Sequence, residues 1–137
     1  MTADQLLEGL WQSKGTDLLL CPTAPPMVRI DGGLQPMAEW GPLATTTIDK
    51  VLRDLLNPEQ LEVFEGGREV DFSFSWRDVA RLRGNAFMAR GEVSLSLRLI
   101  PTEIPTNEDL GLPEVIQRFA LLRQGLVLVT GPTGAGK

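Results

Sequence analysis

The chain contains no histidine and a single cysteine, Cys21. One thiol cannot form an intramolecular disulfide, which points to a reducing compartment, the cytosol. With imidazole missing as well, no zinc site is expected. No apolar run approaches the ~20 residues needed to cross a bilayer, so direct membrane insertion is not expected and any membrane association would come through a partner. Met1 to Leu10 carries acids in place of a basic segment and has no long apolar core, so it does not read as a signal peptide. Positive charge is also in short supply. The net charge of -5 argues against a general nucleic-acid binder, which needs a basic surface to displace counterions from phosphates. Internal repeats and low-complexity segments are absent. What remains is ordinary for a soluble globular protein: 137 residues, 42% hydrophobic and 23% charged, enough for one domain with a sizeable core, or for one domain and part of a second.

Along the chain, Thr2 and Gln5 are spaced as a capping box and Leu6, Leu7, Leu10 and Trp11 recur on one helical face, which predicts a helix from Ala3 to Lys14 ended by Gly15. Short strands are expected over Asp17 to Cys21, Met27 to Ile30 and, after a turn at Asp31-Gly32-Gly33, Leu34 to Met37. A second helix starts near Thr46 or Thr47 and buries Ile48, Val51, Leu52, Leu55 and Leu56. Asn57, Pro58 and Gln60 then form the N-cap, N1 and N3 of a short third helix that stops at Gly66-Gly67. From Glu69 the period becomes two: Val70, Phe72, Phe74 and Trp76 alternate with polar residues. A turn at Arg77-Asp78 leads into strands over Ala80 to Met88 and Val93 to Ile100. The layout divides into an α+β domain with a mostly antiparallel sheet over residues 1–100, a proline-bearing linker over 101–111, and the start of a parallel α/β unit over 112–137. That last part is read as a helix over Leu112 to Arg123, entered through Pro113, and a strand over Leu126 to Thr130.

The strand over Leu126 to Thr130 runs into Gly131-Pro132-Thr133-Gly134-Ala135-Gly136-Lys137. This is most of a phosphate-binding loop, the Walker A pattern of Gly, four residues, Gly, Lys and then Ser or Thr. Glycines let backbone N–H groups turn inward around a polyphosphate, the lysine reaches the outer phosphates, and the hydroxyl that would follow holds Mg2+. The bland reading is a glycine-rich tail after an apolar strand; the preceding strand favours the loop.

A local excess of positive charge asks for a reason. Five of the ten arginines lie between Arg77 and Arg98, where the only acids are Asp78 and Glu92. If the last two strands of the first domain form a hairpin with its turn at Arg90-Gly91, paired residue numbers sum to 181. One face then carries Leu82 opposite Leu99, Gly84 opposite Leu97, Ala86 opposite Leu95 and Met88 opposite Val93, all apolar, and must be the buried one. The same register puts Arg83 opposite Arg98 on the outer face. Cross-strand pairs weigh about 0.2–1 kcal/mol, so two guanidiniums facing one another lose only a little in water. They become favourable around an anion, because guanidinium forks bind phosphate with charge-assisted hydrogen bonds. Two readings stay open: a solvated face whose charges are screened or matched by local acids, or a site for a nucleotide phosphate. Arg81, Arg90, Arg29 and Arg77 read as ordinary surface charges.

Several segments together resemble the twitching-motility ATPases of type IV pili, the PilT-like branch of the secretion ATPase superfamily. They are Asp17-Leu18-Leu19-Leu20, Pro25-Pro26-Met27-Val28-Arg29-Ile30-Asp31-Gly32, Asp71-Phe72-Ser73-Phe74, Ala80-Arg81-Leu82-Arg83-Gly84-Asn85-Ala86-Phe87, Arg98-Leu99-Ile100-Pro101 and the run from Gly125 to Gly134. The resemblance implies a PAS-like N-terminal domain, a flexible linker and a RecA-like ATPase domain, assembled as a hexameric ring at the cytoplasmic face of the inner membrane. It implies ATP with Mg2+ as cofactor and pilus retraction as the work done. Arginines of the N-terminal domain reach nucleotide phosphates in the superfamily, and the matching positions are Arg83 and Arg98. Two positions depart from the family pattern: Leu19 stands where histidine is common, and Gly84 where a β-branched residue is common. The Gly84 departure is expected to weaken its strand by under about 1 kcal/mol.

The resemblance thus implies the N-terminal region of a retraction ATPase whose partners are further copies of itself and the inner-membrane pilus machinery. The 137 residues alone are not expected to hydrolyse ATP or to retain a cofactor, because the Walker B acid and the Asp and His boxes lie beyond Lys137. The alternatives are a type II secretion or pilus-extension assembly ATPase, and a non-enzymatic PAS-like docking module.

Overall fold

The first helix is built from its own ends. In the computed structural model, which describes residues 1–103 and 105–131, Thr2 Oγ1 accepts from the Gln5 amide at 3.3 Å and Gln5 Oε1 accepts from the Thr2 amide at 2.9 Å. This capping box opens α1 (Ala3–Gln12), which buries Leu6, Leu7 and Leu10. The same device opens α3 (Pro58–Glu65): Asn57 Oδ1 accepts from Gln60 N at 2.9 Å, Gln60 Oε1 accepts from Asn57 N at 3.0 Å, and Pro58 occupies the first turn. Between them α2 (Thr45–Leu55) starts from Ala44 without a side-chain cap and buries Ile48, Val51 and Leu52. Packing, not capping, holds α2 in place.

Six strands follow the period-two pattern: β1 (Asp17–Leu20), β2 (Met27–Ile30), β3 (Gly33–Pro36), β4 (Val70–Trp76), β5 (Ala80–Ala89) and β6 (Glu92–Pro101). They form one antiparallel sheet in the order β3-β2-β1-β6-β5-β4. Tight turns at Asp31-Gly32 and Arg90-Gly91 set the register of two hairpins, with positive φ at all four residues. One row of the sheet, Phe72, Gly84, Leu97, Leu18 and Val28, is buried throughout and faces α1, α2 and α3. Those helices and the inward side chains share a single core cluster. Helices on one face of an antiparallel sheet make the α+β arrangement read from the sequence, consistent with the PAS-like domain that the resemblance implies.

The chain divides into two units, Met1–Thr102 and Glu103–Lys137. In the second, α4 (Glu114–Ala120) follows Pro113 and buries nothing, a shorter element than the helix expected over Leu112 to Arg123. The strand expected over Leu126 to Thr130 is not formed: these residues have no ladder partner among the described residues and are exposed. A strand's backbone groups need a neighbour, and apolar character alone does not supply one. Within the 137 residues Leu126 to Thr130 therefore belong to no regular element. Among the described residues, no helix is long and apolar enough to cross a membrane.

Candidate functional site

On the face turned away from α1, α2 and α3, one row of residues crosses the entire sheet. From edge to edge it runs Ser73, Arg83, Arg98, Asp17, Arg29, Leu34. The hairpin register deduced from burial therefore holds: Arg83 lies directly opposite Arg98, and every pair between Ala80 and Pro101 obeys it. Burial agrees along the body of the hairpin but not at its tip. There Met88 is 49% exposed, while Ser94, on the outer side by parity, is fully buried with its hydroxyl unpartnered.

Asp17 is the residue that sequence reasoning missed. Its neighbour across the β1/β6 ladder is Arg98, whose Nε donates to Asp17 Oδ1 at 2.8 Å. Thr16 Oγ1 donates to Oδ2 at 2.8 Å, and Arg29 Nε lies 3.4 Å from the same oxygen. The Asp17 side chain is only 17% exposed, whereas that of Arg98 is 69% exposed. Partial burial pushes the Asp17 carboxyl up, but hydrogen bonds from Arg98 and Thr16 and the charges of Arg98 and Arg29 outweigh it and hold the group below its ordinary value. Of the two readings left open by the sequence, matching by a local acid therefore applies to Arg98, beside which the Asp17 carboxylate already sits. Ion pairs with one partner this exposed contribute about 0.2–1 kcal/mol. The restraint on Arg98 is real but weak.

Arg83 has no such partner. Among the described residues it makes no side-chain hydrogen bond or ion pair and is exposed. Together with Asp17, Ser73, Asn85, Ser96 and Arg98 it lines an open concavity of about 670 Å³. Asp71 also lines it, but accepts from the Asn85 amide at 3.1 Å. Arg81 donates to Ser73 Oγ at 3.1 Å in the neighbouring row. The outer face therefore presents Arg29, Arg81, Arg83 and Arg98 against Asp17 and Asp71, with Arg83 as its unengaged guanidinium. That donor set fits an anionic group such as a phosphate.

The remaining arginines of the cluster have other tasks. Arg90 belongs to the hairpin turn. Arg77, expected to be an ordinary surface charge, ties the β4–β5 turn to α1: it bonds Asp4 at 2.6 Å and Glu8, and its guanidinium stands 4.6 Å from the centroid of the Trp76 ring. Trp76 Nε1 donates to the other oxygen of Asp4 at 2.8 Å. These bonds, first from Trp76 and then from Arg77, lower the Asp4 carboxyl below its ordinary value despite a small opposing desolvation. Arg53 similarly bridges Asp49 and Glu65, joining α2 to the end of α3.

Of the loop residues predicted to bind phosphate, Gly131 is exposed and in no regular element, and Pro132, Thr133, Gly134, Ala135, Gly136 and Lys137 lie outside the described residues. Among the described residues no group of three His, Cys, Asp or Glu side chains is placed to hold a metal ion.

No protein-family model matches the chain. Relatives of known name do. Over all 137 residues the chain is 39% identical to the type IV pilus retraction ATPase PilT of Pseudomonas aeruginosa, of which it spans 40%, and 34% identical to the type IV pilus ATPase PilU of the same organism, of which it spans 36%. A twitching motility protein of Neisseria gonorrhoeae is 34% identical over 82% of the chain, which corresponds to 30% of that protein. Among solved structures, the pilus retraction motor PilT with bound ADP matches with a TM-score of 0.76 and 35% identity over the whole chain and 40% of that structure. The ATPase DotB of Legionella pneumophila matches with a TM-score of 0.80 and 26% identity over 98% of the chain and 38% of that structure. The fold is thus that of the N-terminal domain of PilT- and DotB-type ATPases. Within that class the chain belongs to the type IV pilus twitching-motility ATPases, matching their N-terminal part, and it spans 30–40% of the length of these curated relatives.

Proposed function

We propose that the chain is the N-terminal region of an ATPase that powers type IV pilus retraction, and that Arg83 and Arg98 meet the phosphates of its nucleotide. The observation that carries this reading is the facing pair itself: two arginines in register on a solvent face, one of them unengaged, in a chain homologous to pilus retraction ATPases. The relative solved with ADP supports a nucleotide as the anion. In the working enzyme, residues 1–100 would form the arginine-bearing domain, 101–111 the linker, and 112–137 the start of the ATPase domain. The backbone of Gly131, Pro132, Thr133, Gly134, Ala135 and Gly136 would cradle ATP phosphates, with Lys137 on the outer ones. ATP with Mg2+ supplies the phosphoryl group and the metal that helps neutralise it. The chain's own residues add two things. Arg83 contributes an unpaired guanidinium that can turn toward developing negative charge, and Arg98 a second one beside it.

The ring expected for this class is hexameric, cytoplasmic and peripheral to the inner membrane, with the pilus machinery as its partner. Hinge motion about the linker would carry the arginines toward or away from the nucleotide and so couple ATP state to domain orientation. The identities of 34–39% to proteins named for pili and twitching favour a retraction motor over an assembly ATPase or a docking module. The test is ATP hydrolysis by the full-length protein. Arg83→Ala and Arg98→Ala should each cut turnover about a hundredfold or more while leaving the fold intact. Undiminished turnover in both variants removes the reading.

A further inference from the structure

We infer that Asp17 is an internal competitor for Arg98: it holds that guanidinium against the sheet until a phosphate takes it, and keeps Arg29 as its own counter-ion afterwards. This rests on the phosphate reading of the arginine pair. Three features of the row carry it. Asp17 sits between Arg98 and Arg29 in register, so it can release one without becoming an unpaired carboxylate. It addresses them with different oxygens, Oδ1 toward Arg98 at 2.8 Å and Oδ2 toward Arg29 at 3.4 Å, while the Thr16 hydroxyl fixes Oδ2 at 2.8 Å. Finally, the carboxylate is the buried member and Arg98 the exposed one, so the mobile half of the pair is the arginine.

The two arginines of the candidate site are therefore not equivalent. Among the described residues Arg83 makes no side-chain hydrogen bond or ion pair that a ligand must break, so it is ready for an incoming anion. Arg98 is engaged through Nε, and transfer to a phosphate exchanges one charge-assisted hydrogen bond for another. Such an exchange lowers anion affinity in proportion to the strength of the hold. It also gives Arg98 two defined positions, one on Asp17 and one on the ligand, instead of a diffuse cloud of rotamers. Asp17 is on this view a positioning residue that acts through Arg98 and touches no substrate.

The experiment is a titration of the 137-residue chain with inorganic tripolyphosphate, followed through the arginine Nε–Hε resonances and repeated as a double-mutant cycle. In the wild type the Arg98 Hε signal should be protected from solvent exchange without anion and should shift on titration, while Arg29 stays paired. Asp17→Asn keeps the size and removes the charge. It should tighten tripolyphosphate binding about threefold or more and move the Arg98 Hε signal before any anion is added. In an Arg98→Ala background the same substitution should change affinity by less than a factor of about 1.5, because the competitor has lost what it competes for. An equal gain in both backgrounds means that Asp17 acts only through its long-range field and overturns the inference. So does an unchanged affinity in Asp17→Asn where Arg98→Ala weakens binding, an outcome that leaves the phosphate reading standing. If Arg83→Ala and Arg98→Ala leave tripolyphosphate binding unaltered, the phosphate reading fails and the inference with it. Should Asp17→Asn fold poorly, the wild-type titration decides the matter alone: an Arg98 Hε resonance that shifts as tripolyphosphate binds while that of Arg29 stays put supports the inference, and one that stays put while tripolyphosphate binds overturns it.

Discussion

Placing a methyl group on Gly84 is the sharpest test of how this sheet is packed. A Cβ built there would lie 2.6 and 2.7 Å from Cε1 and Cε2 of the Phe72 ring, and Cζ is closer still. Carbon atoms in contact are ordinarily about 3.5–4.0 Å apart, so the ring would have to retreat by roughly 1 Å. It has little room: Phe72 is 7% exposed, belongs to the core and stacks on Phe74 at 6.1 Å with 10° between the planes. Overpacking of this kind costs about 1–3 kcal/mol, offset by about 0.5–1 kcal/mol from removing a flexible glycine. Gly84→Ala should therefore destabilise the unit by about 1–2 kcal/mol, and Gly84→Val by more. For a unit spanning Met1–Thr102, each kcal/mol corresponds to about 4–8 °C in Tm. Urea unfolding followed by circular dichroism measures the loss, and the Phe72→Leu background shows whether the ring is its cause: there the Gly84→Ala penalty should fall to near zero. If Gly84→Ala is as stable as the parent protein in both backgrounds, the ring yields freely and the reasoning is wrong. The departure from the family pattern at Gly84 is then not the weakness that the sequence suggests, since the missing side chain is replaced by Phe72.

Acid should weaken the first unit. Asp4 and Asp17 both have folded-state values below the ordinary carboxylate value of 3.8, so their contribution is complete above that value and is lost as pH falls through the depressed ones. Asp17→Asn should flatten the Asp17 part of that dependence in thermal melts recorded between neutral pH and about pH 2, and a melt profile identical to the parent's would contradict the assignment. Arg77→Ala should lower Tm and loosen α1, seen as faster amide exchange at Leu6, Leu7 and Leu10; unchanged protection there would show that the bonds to Asp4 and Glu8 hold nothing. Leu126, Leu128 and Val129 are 81%, 73% and 67% exposed, and a chain cut after Arg123 should sediment as a monomer at concentrations where the parent chain associates. Equal sedimentation of the two would remove that expectation.

Local signals were legible from sequence because local physics sets them. The capping box at Thr2 and Gln5, and the N-cap, N1 and N3 positions at Asn57, Pro58 and Gln60, formed where the spacing put them. The β5–β6 register followed from one turn and one apolar face, and so did the meeting of Arg83 and Arg98. What stayed hidden depends on parts of the chain that are distant in sequence. Asp17 could not be assigned to Arg98 until β1 was known to pair with β6, and the need for glycine at Gly84 appears only once the ring of Phe72 is in place. The strand expected over Leu126 to Thr130 shows the converse: an apolar run fixes a preference, and a partner must complete it.

The sheet is two ribbons, β3-β2-β1 and β6-β5-β4, and they meet along one short seam. Each ribbon can zip from its own hairpins, but the seam joins Asp17 to Arg98, 81 residues apart. Closing a loop of that length costs about 4 kcal/mol in chain entropy, which makes the seam the high-contact-order step of folding and a natural bottleneck. The charge row is thereby complete only in molecules that have passed it: a domain stalled before the seam keeps Arg83 facing Arg98 within the β5–β6 hairpin but leaves Arg98 without Asp17.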